Sequence, residues 1–473
     1  MNFKILIAAL SMLVVHVQVA AQEVSLNIHL RGVYTSKVSL QTVEGGSIKT
    51  IAENPVIRKG EIGTLKVSKE QLPAAFVLRF DYKEKENSDP YPSERQIFIN
   101  SQDIDMWVNP LYVNNPDSTW FQKGEKENAL FAQFSKENTR KKEKLGLLQN
   151  FLMGYDQPQS AFYQSGVEEY EKRRRDYNAW VIAQAKQYQD VFASHAFIFQ
   201  YLPQIAWKGT EAERLQSLIA SYFEGMDFKD PVLAKTTDLK DWMNQYVNIY
   251  GSMATTEALR DSLFTLAGQR AIEKARMGHP VVYGWMVDYF YNGYESFNIT
   301  PGIKMLEPYL NDPRCLTSKR LAIEKRLKGI ETLVPGAVSP DFMLKDEAGK
   351  SLAFHKYKTS ARYKLLLFWS ASCHHCTELV SKLHPWQQQT KNKELADVLA
   401  ISLDETETEI PVWEKAKRNL PGWKHSRAEG GINSPEASAY YVLSTPTMVL
   451  VDAKTNKIVA LPATIDQLNA AMD

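Results

Sequence analysis

Residues 368–376 read Phe368-Trp369-Ser370-Ala371-Ser372-Cys373-His374-His375-Cys376, an apolar run that ends in a Cys-x-x-Cys pair. Two of the chain's three cysteines are spent there. A strand that breaks straight into a helix would leave Cys373 at the helix N-terminus, where unpaired backbone N–H groups and the helix dipole favour a thiolate over a thiol. Cys376 would lie one turn further in, within reach of closing a disulfide behind the first sulfur. Cys373 and Cys376 are therefore the expected catalytic pair.

Around this pair, strand and helix patterns alternate. Residues 341–344 and 346–349 read as a short hairpin, Lys364 to Trp369 as a buried strand and Thr377 to Gln389 as the helix behind the cysteines. Asp397 to Ser402 reads as a second core strand, with helical stretches from Glu409 to Arg418 and Glu436 to Val442. Thr447 to Val451 and Lys457 to Leu461 form a strand pair, and Ile465 to Met472 a terminal helix. Such alternation is the signature of an α/β layer fold, expected over residues 333–473. Leu333-Val334-Pro335-Gly336-Ala337 breaks the pattern before it and reads as a linker.

Further upstream the periodicity changes twice. Residues 116–332 hold long amphipathic stretches such as Glu211 to Phe223 and Leu239 to Tyr250, which predict an all-α domain without strands. Residues 22–115 alternate with period two, as in Ser25-Leu26-Asn27-Ile28-His29-Leu30 and Phe76-Val77-Leu78-Arg79-Phe80, with turn signals at Gly45-Gly46 and Gly60. They predict a small antiparallel β domain. Lys4, the apolar run from Ile5 to Val15 and Val19-Ala20-Ala21 before Gln22 read as a cleavable signal peptide over residues 1–21, the alternative being a retained anchor. The mature chain is expected in the periplasm or cell envelope, where disulfides are permitted.

Composition narrows the partners. The 473 residues are too many for one core, and 44% hydrophobic with 23% charged residues is ordinary for a globular chain. The 56 basic and 55 acidic residues leave a formal charge of +1, which offers no field for nucleic acid or an anionic membrane. Runs such as Arg140-Lys141-Lys142 and Arg173-Arg174-Arg175 read as solvated helix faces. No phosphate-binding glycine loop, His-Glu-x-x-His or Gly-x-Ser-x-Gly occurs, so neither a small-molecule cofactor nor a second catalytic centre is expected. His195, His279 and the aromatic stretch from Trp285 to Tyr294 read as helix packing.

Other chemistries fit the cysteines less well. A structural zinc site wants four ligands, and the only other thiol is Cys315, more than 50 residues away, which reads as a buried, inert cysteine. No metal is expected. A peroxidase would want a proline and a hydroxyl upstream of its cysteine; Ser370 is present, but Leu366 stands in the proline's place.

Just before the last strand pair comes Ser444-Thr445-Pro446-Thr447. A strand ending in Phe-Trp, a Cys-x-x-Cys at a helix start and a Thr-Pro about 70 residues later resemble the thioredoxin-like superfamily. The phrase from Ser339 to Leu344 and Asp346-Glu347-Ala348-Gly349-Lys350 is similar to its exported branch, which includes the cytochrome-maturation thioredoxins. The β region and the stretch from Tyr222 to Tyr309 resemble domains of unknown function that accompany such exported proteins in Gram-negative bacteria. The resemblance implies that Cys373 attacks and Cys376 resolves. It implies that Trp369, Thr445 and Pro446 contact a bound substrate chain, with Pro446 as the family's cis-proline.

Two departures stand out. The family often has Trp just before the first cysteine, where this chain has Ser372, and classical thioredoxins place an Asp six residues before it, where this chain has Leu367. His374 and His375 are then the local candidates for redox tuning, because a cation beside the thiolate lowers its pKa. The expected activity is disulfide exchange with protein substrates, in either direction, through a redox-active Cys373–Cys376 disulfide and with a membrane electron-transfer partner as the analogy suggests. The competing expectation is a non-catalytic envelope binding protein that keeps only the scaffold.

Overall fold

A computed structural model describes residues 23–345 and 351–473. The expected signal peptide and the turn expected at 346–349 lie outside the described residues. Two compact units form: one runs through Asn292 and takes in 314–316, and the other comprises 293–313 and 317–473.

In the first unit, period-two alternation builds a sandwich. Along Glu23–Leu30 the residues Val24, Leu26, Ile28 and Leu30 are buried while their neighbours face outward, so one face of the strand is apolar and must be covered. Strands Ile62–Ser68, Glu23–Leu30, Ile104–Val108 and Thr119–Phe121 make one sheet in that order, and Ser47–Arg58, Thr35–Glu44, Ala74–Lys83 and Tyr91–Ile99 make the other. Leu26, Ile28, Leu40, Phe76, Leu78, Phe80 and Ile97 fill the space between them. The expectation of a purely antiparallel domain needs one correction, because Glu23–Leu30 pairs parallel with Ile104–Val108. A second correction concerns Thr119–Phe121, which is a strand inside the stretch expected to be wholly helical. At three residues it carries no period of its own and is held by pairing with Met106–Val108.

The helices begin at Glu127. Glu125 accepts from the backbone N–H groups of Glu127, Asn128 and Ala129 at 3.0–3.1 Å, filling the orphan donors of the first turn. Asn128 bonds both the N–H and the C=O of Phe98, which ties this helix, Glu127–Gly154, to the second sheet. The predicted helices appear as Glu211–Ser221 and Asp238–Gly251. His195 meets Asp230 at 2.6 Å, and Trp285 and Tyr294 are buried.

The second unit carries the site. Its five-stranded sheet runs Lys424–Arg427, Ala396–Ser402, Tyr363–Trp369, Thr447–Asp452, Ile458–Ala460, with the first three strands parallel, Thr447–Asp452 antiparallel to them and Ile458–Ala460 antiparallel to Thr447–Asp452. All seven residues of Tyr363–Trp369 are buried, as a central strand covered on both faces requires. Leu365, Leu367 and Trp369 pack with Val380 and Leu383 of helix His374–Gln388 and Leu468 of helix Ile465–Met472. Leu366 and Phe368 point the other way, onto Phe354, Ile401 and Tyr440. The short strands Met343–Lys345 and Ser351–Ala353 pair antiparallel, and helix Arg320–Thr332, upstream of the linker, belongs to this unit.

Candidate active site

The central strand Tyr363–Trp369 ends at the carboxyl end of the sheet, and a helix begins at His374. Cys373 is the residue that caps this helix, with extended backbone (φ −91°, ψ 121°), and its C=O accepts from Thr377 N–H at 3.0 Å. No side chain caps the first turn. Its backbone N–H groups are therefore left to the sulfur.

The two thiols have opposite environments. Cys373 is half-buried and Cys376 fully buried, 0% exposed, among Leu367, Trp369 and Leu383. Burial disfavours charge on Cys373, but hydrogen bonds from the Cys376 thiol and N–H, the Thr445 side chain and the His375 N–H outweigh it. They hold this thiol below its ordinary value. Burial pushes Cys376 up to about 12, and the neighbouring Cys373 adds to the rise. One sulfur is thus prepared to attack as a thiolate while the other keeps its proton.

Across 72 residues of sequence, Cys373 Sγ meets the Thr445 C=O at 3.7 Å. The Thr445–Pro446 peptide is cis, and both residues are half-buried beside exposed Ser444. Cys373, Cys376, Thr445 and Pro446 therefore gather at one place.

The other expected site residues are placed differently. Trp369 is 1% exposed and sits in the core behind Cys376. A side chain sealed on all sides cannot touch a substrate chain, so the expectation of direct contact is corrected: Trp369 forms the apolar wall that desolvates the second thiol. His374 and His375 are both exposed. At Cys373, position 375 acts through its backbone N–H rather than its ring.

Sequence reasoning missed Asp404. It is 1% exposed, and its carboxylate accepts from Ser370 Oγ at 2.6 Å, Ala371 N–H at 2.9 Å and Ser402 Oγ at 2.8 Å. Its signal was an acid just past the carboxyl end of the core strand next to the one that leads to the cysteines, where α/β sheets place functional groups.

Residues 361–458 match the family described as thioredoxin-like. The chain thus carries a thioredoxin-like domain near its C-terminus. Among solved structures it is similar to a thioredoxin-like protein from Bacteroides caccae, at 17% identity and a TM-score of 0.39, covering 57% of this chain and 96% of that one. It is also similar to a thiol-disulfide oxidoreductase from Bacteroides fragilis, at 28% identity and a TM-score of 0.25, covering 28% of this chain and 98% of that one. A thiol:disulfide interchange protein from Bacteroides sp. gives 25% identity and a TM-score of 0.24, covering 29% and 88%. No curated protein matches the chain.

Proposed function

We propose that this chain is an exported thiol–disulfide oxidoreductase of the cell envelope that exchanges disulfides with protein substrates through Cys373 and Cys376. The observation that carries the reading is the split between the two thiols: Cys373 is accessible and held below its ordinary pKa, while Cys376 is sealed and protonated behind it. Nucleophilic attack needs a thiolate in reach of a substrate, and release of the mixed disulfide needs a second thiol beside the first.

In the reducing direction, the Cys373 thiolate attacks one sulfur of a substrate disulfide. That S–S bond breaks, the substrate's first thiolate leaves, and a mixed disulfide forms. Cys376 then attacks Cys373 Sγ as its proton passes to the departing second thiolate. Two electrons have moved to the substrate and the pair is a disulfide. The Thr445 C=O beside Cys373 would align the substrate backbone during both steps. Export is supported by the leader-like sequence from Lys4 to Ala21, and a membrane electron-transfer partner would restore the dithiol.

Turnover of a disulfide-bonded protein with dithiothreitol as electron source tests this reading. The unaltered chain should accelerate reduction, and Cys373→Ser should return the rate to that of dithiothreitol alone. Equal rates with and without the unaltered chain would sink the proposal.

A further inference from the structure

We propose that Asp404 is a positioning residue for the redox pair and acts through Ser370. Ser370 is the only residue in the described site whose backbone and side chain address both cysteines and the buried acid at once. Its N–H faces Cys376 Sγ at 3.5 Å, and its C=O accepts from Cys373 N–H at 3.3 Å. Its hydroxyl donates to Asp404 at 2.6 Å and accepts from Ser372 N–H at 3.2 Å. The segment from Trp369 to Cys373 is thereby fixed at each step.

Asp404 is itself held rigidly. Ser402 Oγ both donates to its carboxylate and accepts from its N–H at 3.1 Å. Leu403 N–H bonds Trp369 C=O at 2.8 Å, which locks this turn to the end of the cysteine-bearing strand. A carboxylate with three donors and 1% exposure is a strong anchor, because charge-assisted bonds in a dry site are worth more than neutral ones. Leu367, which packs in the same core cluster as Cys376, offers no acid there. In this chain the acid enters from the neighbouring strand and reaches the sulfur indirectly, through the Ser370 amide. Its role is to aim that amide at Cys376, and so it governs the resolving step rather than the first attack.

This inference rests on the disulfide-exchange reading, and the experiment separates the two. Rapid-mixing exchange of the reduced protein with a disulfide-bonded peptide resolves bimolecular attack by Cys373 from first-order release by Cys376. Asp404→Ala and Ser370→Ala should each slow release about tenfold, the equivalent of losing one or two hydrogen bonds of about 1 kcal/mol. Attack should stay within about twofold of the unaltered rate, since the donors around Cys373 are left in place. The double variant should be no slower than the slower single, because both break one chain of contacts. Ser370→Thr, which keeps the hydroxyl, should restore release. Should Asp404→Ala fail to fold, the two Ser370 variants carry the test. Attack and release falling together, or release unchanged, would overturn the assignment. No exchange by the unaltered protein would overturn the redox reading beneath it.

Discussion

The reduction potential of the Cys373–Cys376 pair should fall with pH along two slopes. Reducing a disulfide takes up two electrons and, where both thiols hold their protons, two protons, which gives about 59 mV per pH unit. Where one sulfur stays a thiolate only one proton is taken up, and the slope halves to about 30 mV. Cys373 lies below its ordinary value and Cys376 is pushed up to about 12. The shallow segment should therefore begin below the usual thiol value of about 8.5 and continue past about pH 10. Redox buffers calibrated at each pH, with free thiols trapped by an alkylating mass tag, measure the curve. A slope of about 59 mV persisting to about pH 9 would refute the lowered first thiol, and a slope falling towards zero before about pH 10 would refute the raised second one.

Two further predictions follow from burial and exposure. His374→Ala and His375→Ala should each leave the thiolate titration of Cys373 where it is, because both side chains are exposed and water and salt screen exposed groups; ultraviolet thiolate absorbance reads this directly. Asp238, at the start of helix Asp238–Gly251, accepts a hydrogen bond from Gln96, and burial pushes its carboxyl up to about 6. A raised carboxyl in the folded state gives stability that is complete below the unfolded value of about 3.9 and lost as pH rises through about 6. Asp238→Asn, which still accepts from Gln96, should be about 3 kcal/mol more stable than the unaltered chain at about pH 8 and no different near pH 3. Urea unfolding at the two pH values decides it.

The elements that hold the chemistry were legible because their signals were local and strong. An unbroken apolar run gave Tyr363–Trp369, and amphipathic spacing gave Ile465–Met472. Helix His374–Gln388 starts three residues before its periodic pattern, since His374, His375 and Cys376 carry no helical signature and are recruited by the capping position of Cys373. The edge strand Lys424–Arg427 was invisible: Lys-His-Ser-Arg has no apolar alternation, and only pairing with Leu399–Ser402 makes it a strand.

The site divides the same way. Cys373 and Cys376 could be read from spacing, but whether a conspicuous aromatic touches substrate or the core depends on which face of a strand it takes. Trp369 shares its face with Leu365 and Leu367, so it points inward under the helix. The Asp404–Ser370 contact joins positions 34 residues apart. It is a product of parallel strand pairing, which places Trp369 opposite Ser402 and which no local pattern encodes.

The most direct test of the central claim is mass spectrometry of a Cys376→Ser chain mixed with a disulfide-bonded peptide. With the resolving sulfur removed, a mixed disulfide should accumulate on Cys373, one peptide half attached for each half released. An unmodified Cys373, or a peptide attached only at Cys315, would contradict the account.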